Sequence, residues 1–354
     1  MSKRIAFIGA FSFDYPRNQI LRVGLAEHGY EIISAPLPRG KSTLRSVLPL
    51  WQTMRRTSAD FYLLAEFNAH LAPFAILMSK LLGRRLGIDY LVGLYDTYLH
   101  DRVTVSAQSL SARRYRLMDR WTIQHASLIF TDTQAHANFF ETVAGESAKR
   151  MGAVPVGVYD AWWSPKVQPA GRPHDGLLIQ FFGKYLPFHG VDVILEAAKR
   201  LESDAHLRFE LIGRGQTFEA IQARAAQLGL SNVTFAAPVP ASELPSLVAR
   251  ADICLGVFAA HPKTDYVVPN KVFQCMALGK PLITAQSKAV AAHFQAGEHF
   301  IAVQQGDPEA LAAAICTLAE SPELRAKVGQ AAAQHIHQHF TPARVAEWLL
   351  PHLP

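Results

Sequence analysis

Cysteine is scarce in this chain, with Cys254, Cys275 and Cys316 as the whole complement. They show no metal-ligand spacing, and an odd count without a secretion signal indicates reduced thiols. Long apolar runs are also lacking. The longest, Leu71 to Leu82, is broken by Pro73 and Lys80 and falls short of a membrane span. Met1 to Ala10 carries two basic residues, but the apolar run behind them is too short for a signal peptide and Asp14 soon interrupts it. The expected location is therefore the cytoplasm. Three phosphate-binding signatures are absent as well. Gly9 stands alone after the first apolar run, and Gly213 and Gly215 have no third glycine at the right place, which argues against a nicotinamide dehydrogenase. No GxxxxGK[ST] loop occurs, and no two aspartates are separated by one residue, so no obvious divalent-metal clamp for a nucleotide exists. Repeats of solenoid length and low-complexity segments are missing too.

What is present is an ordinary globular composition of 354 residues, 49% hydrophobic and 18% charged, a length that favours two domains over one. The formal charge of +6 is uneven: residues 1–170 carry +7 and the remainder −1. Basic residues cluster at Arg39, Lys41, Arg45, Arg55 and Arg56, at Arg84 and Arg85, and at Arg113, Arg114, Arg116 and Arg120. Such segments beside apolar helices fit an anionic membrane surface, while solvated helix faces account equally well for any single cluster. Nucleic acid is not an expected partner, because no nucleic-acid module accompanies the basic stretches.

Short apolar runs alternate with helical periodicity along the chain. Strands are expected at Arg4 to Ala10, Glu31 to Ala35, Phe61 to Ala65, Leu86 to Val92 and Ser127 to Thr131, with helices such as Pro16 to Gly29, Leu71 to Leu82 and Ser109 to Gln124. Between Pro155 and Pro173 the pattern fails and reads as a linker. It restarts with strands at Leu177 to Phe182, Leu207 to Ile212, Val233 to Phe235, Ile253 to Val257, Pro281 to Thr284 and Phe300 to Val303. Helices are expected at Val191 to Glu202, Thr217 to Leu228, Ser242 to Arg250, Pro269 to Leu278, Pro308 to His339 and Thr341 to Leu353. The fold class is α/β, with two tandem Rossmann-like domains facing across a cleft. The expected boundaries are 1–165, 166–335, and a terminal helix over 336–354 that packs back on the first domain.

Ligands of open α/β sheets sit at the carboxyl ends of strands, so the following loops carry the chemistry. After Leu177 to Phe182 comes GKYLPFHG, with Gly183 for close backbone approach, Lys184 for charge and His189 before the next helix. After Leu207 to Ile212 comes GRGQ, with Gly213 and Arg214. The stretch VVPNKVFQCMALGKP, Val267 to Pro281, reads as a helix started by Pro269 and Asn270 and closed by Gly279. Val272, Phe273, Met276 and Ala277 form its apolar face; Lys271 and Gln274 share a polar one. Free amides, a lysine and a hydrogen-bonding side chain one turn on suit a phosphate bearing a sugar, and a plain amphipathic helix with both polar residues solvated is the competing reading.

Together these loops resemble glycosyltransferase family 4, whose members have the GT-B fold and transfer sugars from nucleotide sugars with retention of configuration. Gly183-Lys184 and His189-Gly190 stand at the family's glycine-arginine and lysine-glycine positions, and Glu210 to Gly215 resembles its second strand and glycine loop. The resemblance implies donor contacts from Gly183, His189, Gly213 and Arg214. It also implies nucleobase reading by the backbone of Ala237, Pro238 and Val239, and ribose and phosphate contacts along Asp265, Tyr266, Val268, Pro269, Asn270 and Gln274. Lys184 and Lys271 would neutralise the departing diphosphate. The family's two glutamates are replaced by Gln274 and Tyr266, with Asp265 adjacent; an amide loses the charge-assisted pair to the ribose, at a cost of about 1–3 kcal/mol.

In the first half, the loop GLYDTYLHD after Leu86 to Val92 puts Asp96 where the family commonly has a histidine touching the donor sugar. Asp96 is thus a catalytic candidate, or a turn cap. Tyr15, Arg17 and Asn18 after the first strand, and His136 further on, are acceptor-side candidates. The implied activity is retaining transfer from a nucleoside diphosphate sugar to a hydroxyl of a glycan, lipid-linked glycan or other acceptor, with no cofactor and no metal. Replacement of the two glutamates also admits a non-catalytic binding or scaffold subunit, and an epimerase shares the architecture.

Overall fold

The computed structural model describes residues 3–38, 40, 42–163, 166–171 and 175–353. Arg39 and Lys41 of the first basic cluster, and Pro173 at the end of the expected linker, lie outside the described residues. The chain forms two compact units, Met1–Gly157 with Phe340–Pro354, and Val158–His339. These divisions lie eight and four residues from the 165 and 335 read from the pattern.

The first unit runs β1 (Arg4–Gly9), α1 (Pro16–Glu27), β2 (Glu31–Pro36), α2 (Thr43–Arg56), β3 (Phe61–Leu64), α3 (Ala72–Leu81), β4 (Leu86–Asp89), α4 (Leu94–Asp96), α5 (Leu110–His125), β5 (Leu128–Thr131), α6 (Gln134–Ala144) and β6 (Gly152–Ala153). The second runs β7 (Leu177–Phe182), α7 (Val191–Arg200), β8 (Leu207–Ile212), α8 (Phe218–Leu228), β9 (Val233–Ala236), α9 (Leu244–Ala249), β10 (Ile253–Leu255), α10 (Pro262–Tyr266), α11 (Asn270–Ala277), β11 (Leu282–Ala285), α12 (Lys288–Ala291), β12 (Ile301–Val303), α13 (Pro308–Glu320) and α14 (Pro322–His339). Helix α15 (Pro342–Glu347) returns to the first unit and packs on α1, where Gly24 has no side chain because a Cβ there would strike the Pro342 carbonyl.

Each unit holds one six-stranded sheet, with orders β2-β1-β3-β4-β5-β6 and β12-β11-β10-β7-β8-β9. All strand pairs are parallel, from β1 with β2 to β8 with β9. Parallel strands sandwiched by helices have no wet face, which is why β3 and β4 are buried at every position. Strand order reverses between β1 and β3 in the first unit and between β7 and β10 in the second. Loops at a reversal diverge to opposite faces and leave a crevice at the strand ends. Each unit therefore has one prepared position for a ligand.

Several local readings need correction. The segment Gly93 to Asp101 is not an open loop: α4 runs into a π-helical turn over Thr97–Asp101. Helix α2 contains Pro49, which conceals it in the sequence, and α6 begins where the Thr133 side chain accepts from the His136 amide at 2.9 Å. The expected linker is anchored, since the Trp162 ring stacks 6.1 Å from Phe182 and Trp163 lies 3.4 Å from the His337 ring.

Candidate active site

In the second unit the crevice between β7 and β10 is walled by the loops after both strands. Gly183 takes φ +138°, and Gly213 at φ +129° abuts it so closely that a Cβ on Gly213 would collide with the Gly183 carbonyl. Two glycines are thus needed for two strand ends to meet. The space over Gly183 is bounded by other groups: a Cβ there would lie 3.4 Å from Lys271 Nζ and 3.8 Å from His189 Cε1. Two hydrogen bonds fix this wall, Phe258 N donating to His189 O at 3.0 Å and the Thr264 hydroxyl to Ala259 O at 3.0 Å.

Lys271 is 4% exposed, its Nζ lies 3.7 Å from the centre of the Phe181 ring, and that Nζ has no hydrogen-bond partner among the described residues. Burial holds this ammonium well below the usual lysine range. His189 is also buried, with Nδ1 unpartnered, and burial together with the nearby Lys271 charge holds the imidazole well below the usual histidine range. Lys263, 3% exposed and 5.7 Å from the Phe188 ring, adds a further cation near His189. Sequence reading passed over Lys263, because a lysine behind His261-Pro262 looks solvated until α10 folds beneath Gly190. Lys184 is exposed at the same loop.

The polar face expected on α11 does not reach solvent. Lys271 through Ala277 are all buried, including Gln274, which excludes a plain amphipathic helix with solvated polar residues. Pro269 is the N-cap and makes no side-chain capping bond, so Asn270 is the first helical residue rather than the cap. Tyr266 and Val268 are buried, and Asp265 accepts from Gln305 Nε2 at 3.0 Å. Arg214 sits at the loop surface, where its guanidinium donates to Gly213 O at 2.8 Å and lies 3.9 Å from the Phe218 ring. Ala237 and Pro238 are exposed and Val239 half-buried after β9. Lys271, His189 and Gly183 are brought together; Arg214 and the 237–239 segment stand on the neighbouring strands β8 and β9.

In the first unit, a buried chain of ionisable groups lies beyond β4 and β5. Asp132 Oδ1 is 2.7 Å from His136 Nδ1, His136 Nε2 is 3.7 Å from Asp96 Oδ2, and Asp96 Oδ1 is 3.4 Å from His100 Nδ1. Asp96 and His136 are wholly buried, whereas the His100 side chain is 24% exposed. Burial opposes charge on His136, but Asp132 and Asp96 outweigh it and hold the imidazole above its usual range. Asp119 secures the turn carrying Asp96, accepting from Leu94 N at 2.9 Å, Tyr95 N at 2.8 Å and Tyr90 Oη at 2.6 Å. Burial, restrained by these donors, pushes its carboxyl up to about 6. His100 escaped the sequence reading because the π-helical turn that brings it beside Asp96 has no pattern of its own.

Arg17 and Asn18, expected on the acceptor side, are buried within the first unit rather than open to solvent. Arg17, 1% exposed, donates to Asp89 Oδ2 at 2.6 Å and to Val154 O at 2.9 Å; Asn18 Nδ2 donates to Ser12 O and Glu66 Oε1, each at 2.9 Å. Arg17 braces the ends of β4 and β6, and Asn18 the loop ends after β1 and β3. Tyr15 is half-buried with its ring 5.1 Å from that of Phe67. Burial, with the Asp89 charge adding to it, pushes the Glu66 carboxyl up to about 8. The folded chain keeps this proton up to about pH 8 while the unfolded chain releases it near 4.5, so stability falls as pH rises through that window. Glu66→Gln should flatten the decline and add about 3 kcal/mol at pH 9 relative to the native chain, read by denaturant titration at pH 5 and pH 9.

Among the described residues, no group of His, Cys, Asp and Glu is arranged to hold a metal ion. A buried ammonium with no hydrogen-bond partner stands beside a buried imidazole over a glycine at the topological reversal, and the two parallel-sheet units are of the GT-B type. Over 99% of both chains the fold matches HepE of Anabaena in complex with UDP and glucose, with a TM-score of 0.74 at 15% identity. It also matches WaaG, described as a glycosyltransferase involved in lipopolysaccharide biosynthesis, with a TM-score of 0.64 at 15% identity over 98% of this chain and 99% of that one.

Residues 192–350 match the family described as glycosyl transferase-like. The D-inositol 3-phosphate glycosyltransferase of Acidothermus cellulolyticus is 27% identical over 226 residues, covering 59% of this chain and 49% of that protein. The enzyme of the same name from Streptomyces griseus is 30% identical over 176 residues, covering 47% and 36%. The match thus spans about half the length of these curated relatives or less. The chain is similar to GT-B glycosyltransferases of the family 4 kind.

Proposed function

We propose that the protein is a retaining glycosyltransferase that moves a sugar from a nucleoside diphosphate sugar to a hydroxyl of a glycan or lipid-linked acceptor. The observation that carries this reading is the unpartnered Nζ of Lys271, buried beside His189 and facing the space over Gly183. A buried cation without a counter-charge is costly, and a diphosphate arriving over a glycine supplies that charge. Charge builds on the diphosphate as the sugar departs, so fixed cations aimed at it stabilise the transition state more than the ground state. Lys184, Lys271, His189, Arg214 and backbone amides meet that charge, with no metal required. Leaving group and acceptor then share one face of the sugar, and retention follows without a protein base. Asp96, wholly buried and 3.4 Å from the partly exposed His100, is the catalytic candidate of the first unit. The positive charge of the first unit supports a peripheral location on the inner face of an anionic membrane. No helix among the described residues is long and apolar enough to cross one.

Calorimetry with UDP, other nucleoside diphosphates and their sugars, followed by transfer and donor-hydrolysis assays in EDTA, tests this. Expected are binding of one nucleoside diphosphate, turnover that survives EDTA, and a His100→Gln variant that binds the diphosphate normally but turns over slowly. Gln274 and Tyr266 in place of the carboxylates favour the binding-subunit reading, and binding without any turnover would establish that instead.

A further inference from the structure

Helix α5 has two stripes. Ala112, Asp119, Thr122 and Ile123 are buried against the first unit. On another face, Leu110, Arg113, Arg114, Leu117, Met118 and Trp121 recur at three-and-four spacing, and with Pro73 and Phe74 of α3 they line a groove of about 510 Å³. Phe74, Met118 and Trp121 are half-buried, whereas Leu110 is 82% and Leu117 64% exposed. A second apolar stripe left open beside paired arginines is not what core packing requires.

The charges around the groove share one sign. Helix α3 packs against both α2 and α5, and these three helices expose Arg45, Arg55, Arg56, Lys80, Arg113, Arg114, Arg116 and Arg120. Their one acidic residue, Asp119, is buried. Leu44, Leu48, Leu77 and Leu81 are exposed on α2 and α3. Arginines that keep their heads in water while leucines and a tryptophan present apolar surface match the boundary between headgroups and acyl chains.

We propose that the α3–α5 groove binds one acyl chain of an anionic membrane lipid, whose phosphate is met by Arg113 and Arg114. The occupant is a lipid rather than a protein helix, because an unbroken field of cations interleaved with exposed leucines is complementary to a phosphate-bearing apolar layer. This rests on the membrane reading above and is independent of sugar transfer.

The test uses the full chain with vesicles of phosphatidylcholine or phosphatidylglycerol, with or without bromine on the acyl chains. Expected are about tenfold tighter binding to phosphatidylglycerol, weakening with salt, and quenching of tryptophan emission by brominated chains that Trp121→Phe largely removes. The double variant Leu110→Ser/Leu117→Ser alters exposed positions only. It should bind phosphatidylglycerol vesicles about tenfold more weakly with unchanged affinity for UDP. Quenching that persists in Trp121→Phe, or vesicle binding unmoved by the serines, would overturn the groove while leaving charge-driven attachment standing. Indifference of the native protein to phosphatidylglycerol would overturn both, without bearing on the transfer reading.

Discussion

Lys271→Met should produce a protein that melts higher than the native chain and transfers sugar about 10²- to 10³-fold more slowly. The two effects have one cause. As pH falls below the ordinary lysine value of 10.5, the unfolded chain protonates Lys271 while the fold resists, because burial disfavours the charged amine. At neutral pH the site therefore costs stability, offset in part by the Phe181 ring 3.7 Å away. Methionine, similar in shape and uncharged, removes that cost, and a gain on the order of 2 kcal/mol is expected. The same reasoning predicts that nucleotide binding is proton-linked. A diphosphate raises the proton affinity of both Lys271 and His189, so binding takes up protons and weakens as pH rises. Calorimetry in buffers of different ionisation enthalpy measures the uptake directly. A variant with lowered stability and normal transfer would show Lys271 to be structural.

Arg17→Met should have the opposite signature, with a stability loss of about 3–5 kcal/mol. Its guanidinium is 2.6 Å from Asp89, and both side chains are 1% exposed. Burial pushes the Asp89 carboxyl upward and the adjacent guanidinium holds it back; without Arg17 the carboxylate is left unpaired, and the Val154 carbonyl loses its donor as well. Calorimetric melting reads the loss, which Arg17→Met/Asp89→Leu should largely restore because neither charge of the pair remains. Diphosphate affinity in the second unit should be unchanged by either variant. Together the two substitutions separate a cation held for a ligand from one held for the fold.

Nothing in residue type distinguishes Arg17 from Lys271. Both follow strand-and-loop segments where anion sites are expected, and both read as ligand contacts. Only the partners differ: Arg17 is met by a carboxylate and a carbonyl of its own unit, whereas Lys271 Nζ is met by an aromatic ring. Partners so distant in sequence are supplied by topology.

The alternation of strand and helix, the uneven charge, and the glycines at 183 and 213 are properties of local pattern, and local pattern makes them readable. Periodicity follows from backbone geometry, and a glycine ahead of a helix announces close approach wherever the strand goes. Burial is different, because it depends on which strands become neighbours. The β7–β10 reversal covers Lys263 and Lys271, the π-helical turn brings His100 to Asp96, and the α3–α5 pairing leaves one stripe of α5 open. The first and last of these are set by contacts between segments far apart in the chain, and the local turn is held by Asp119 of α5; such contacts exist only once the sheets have formed.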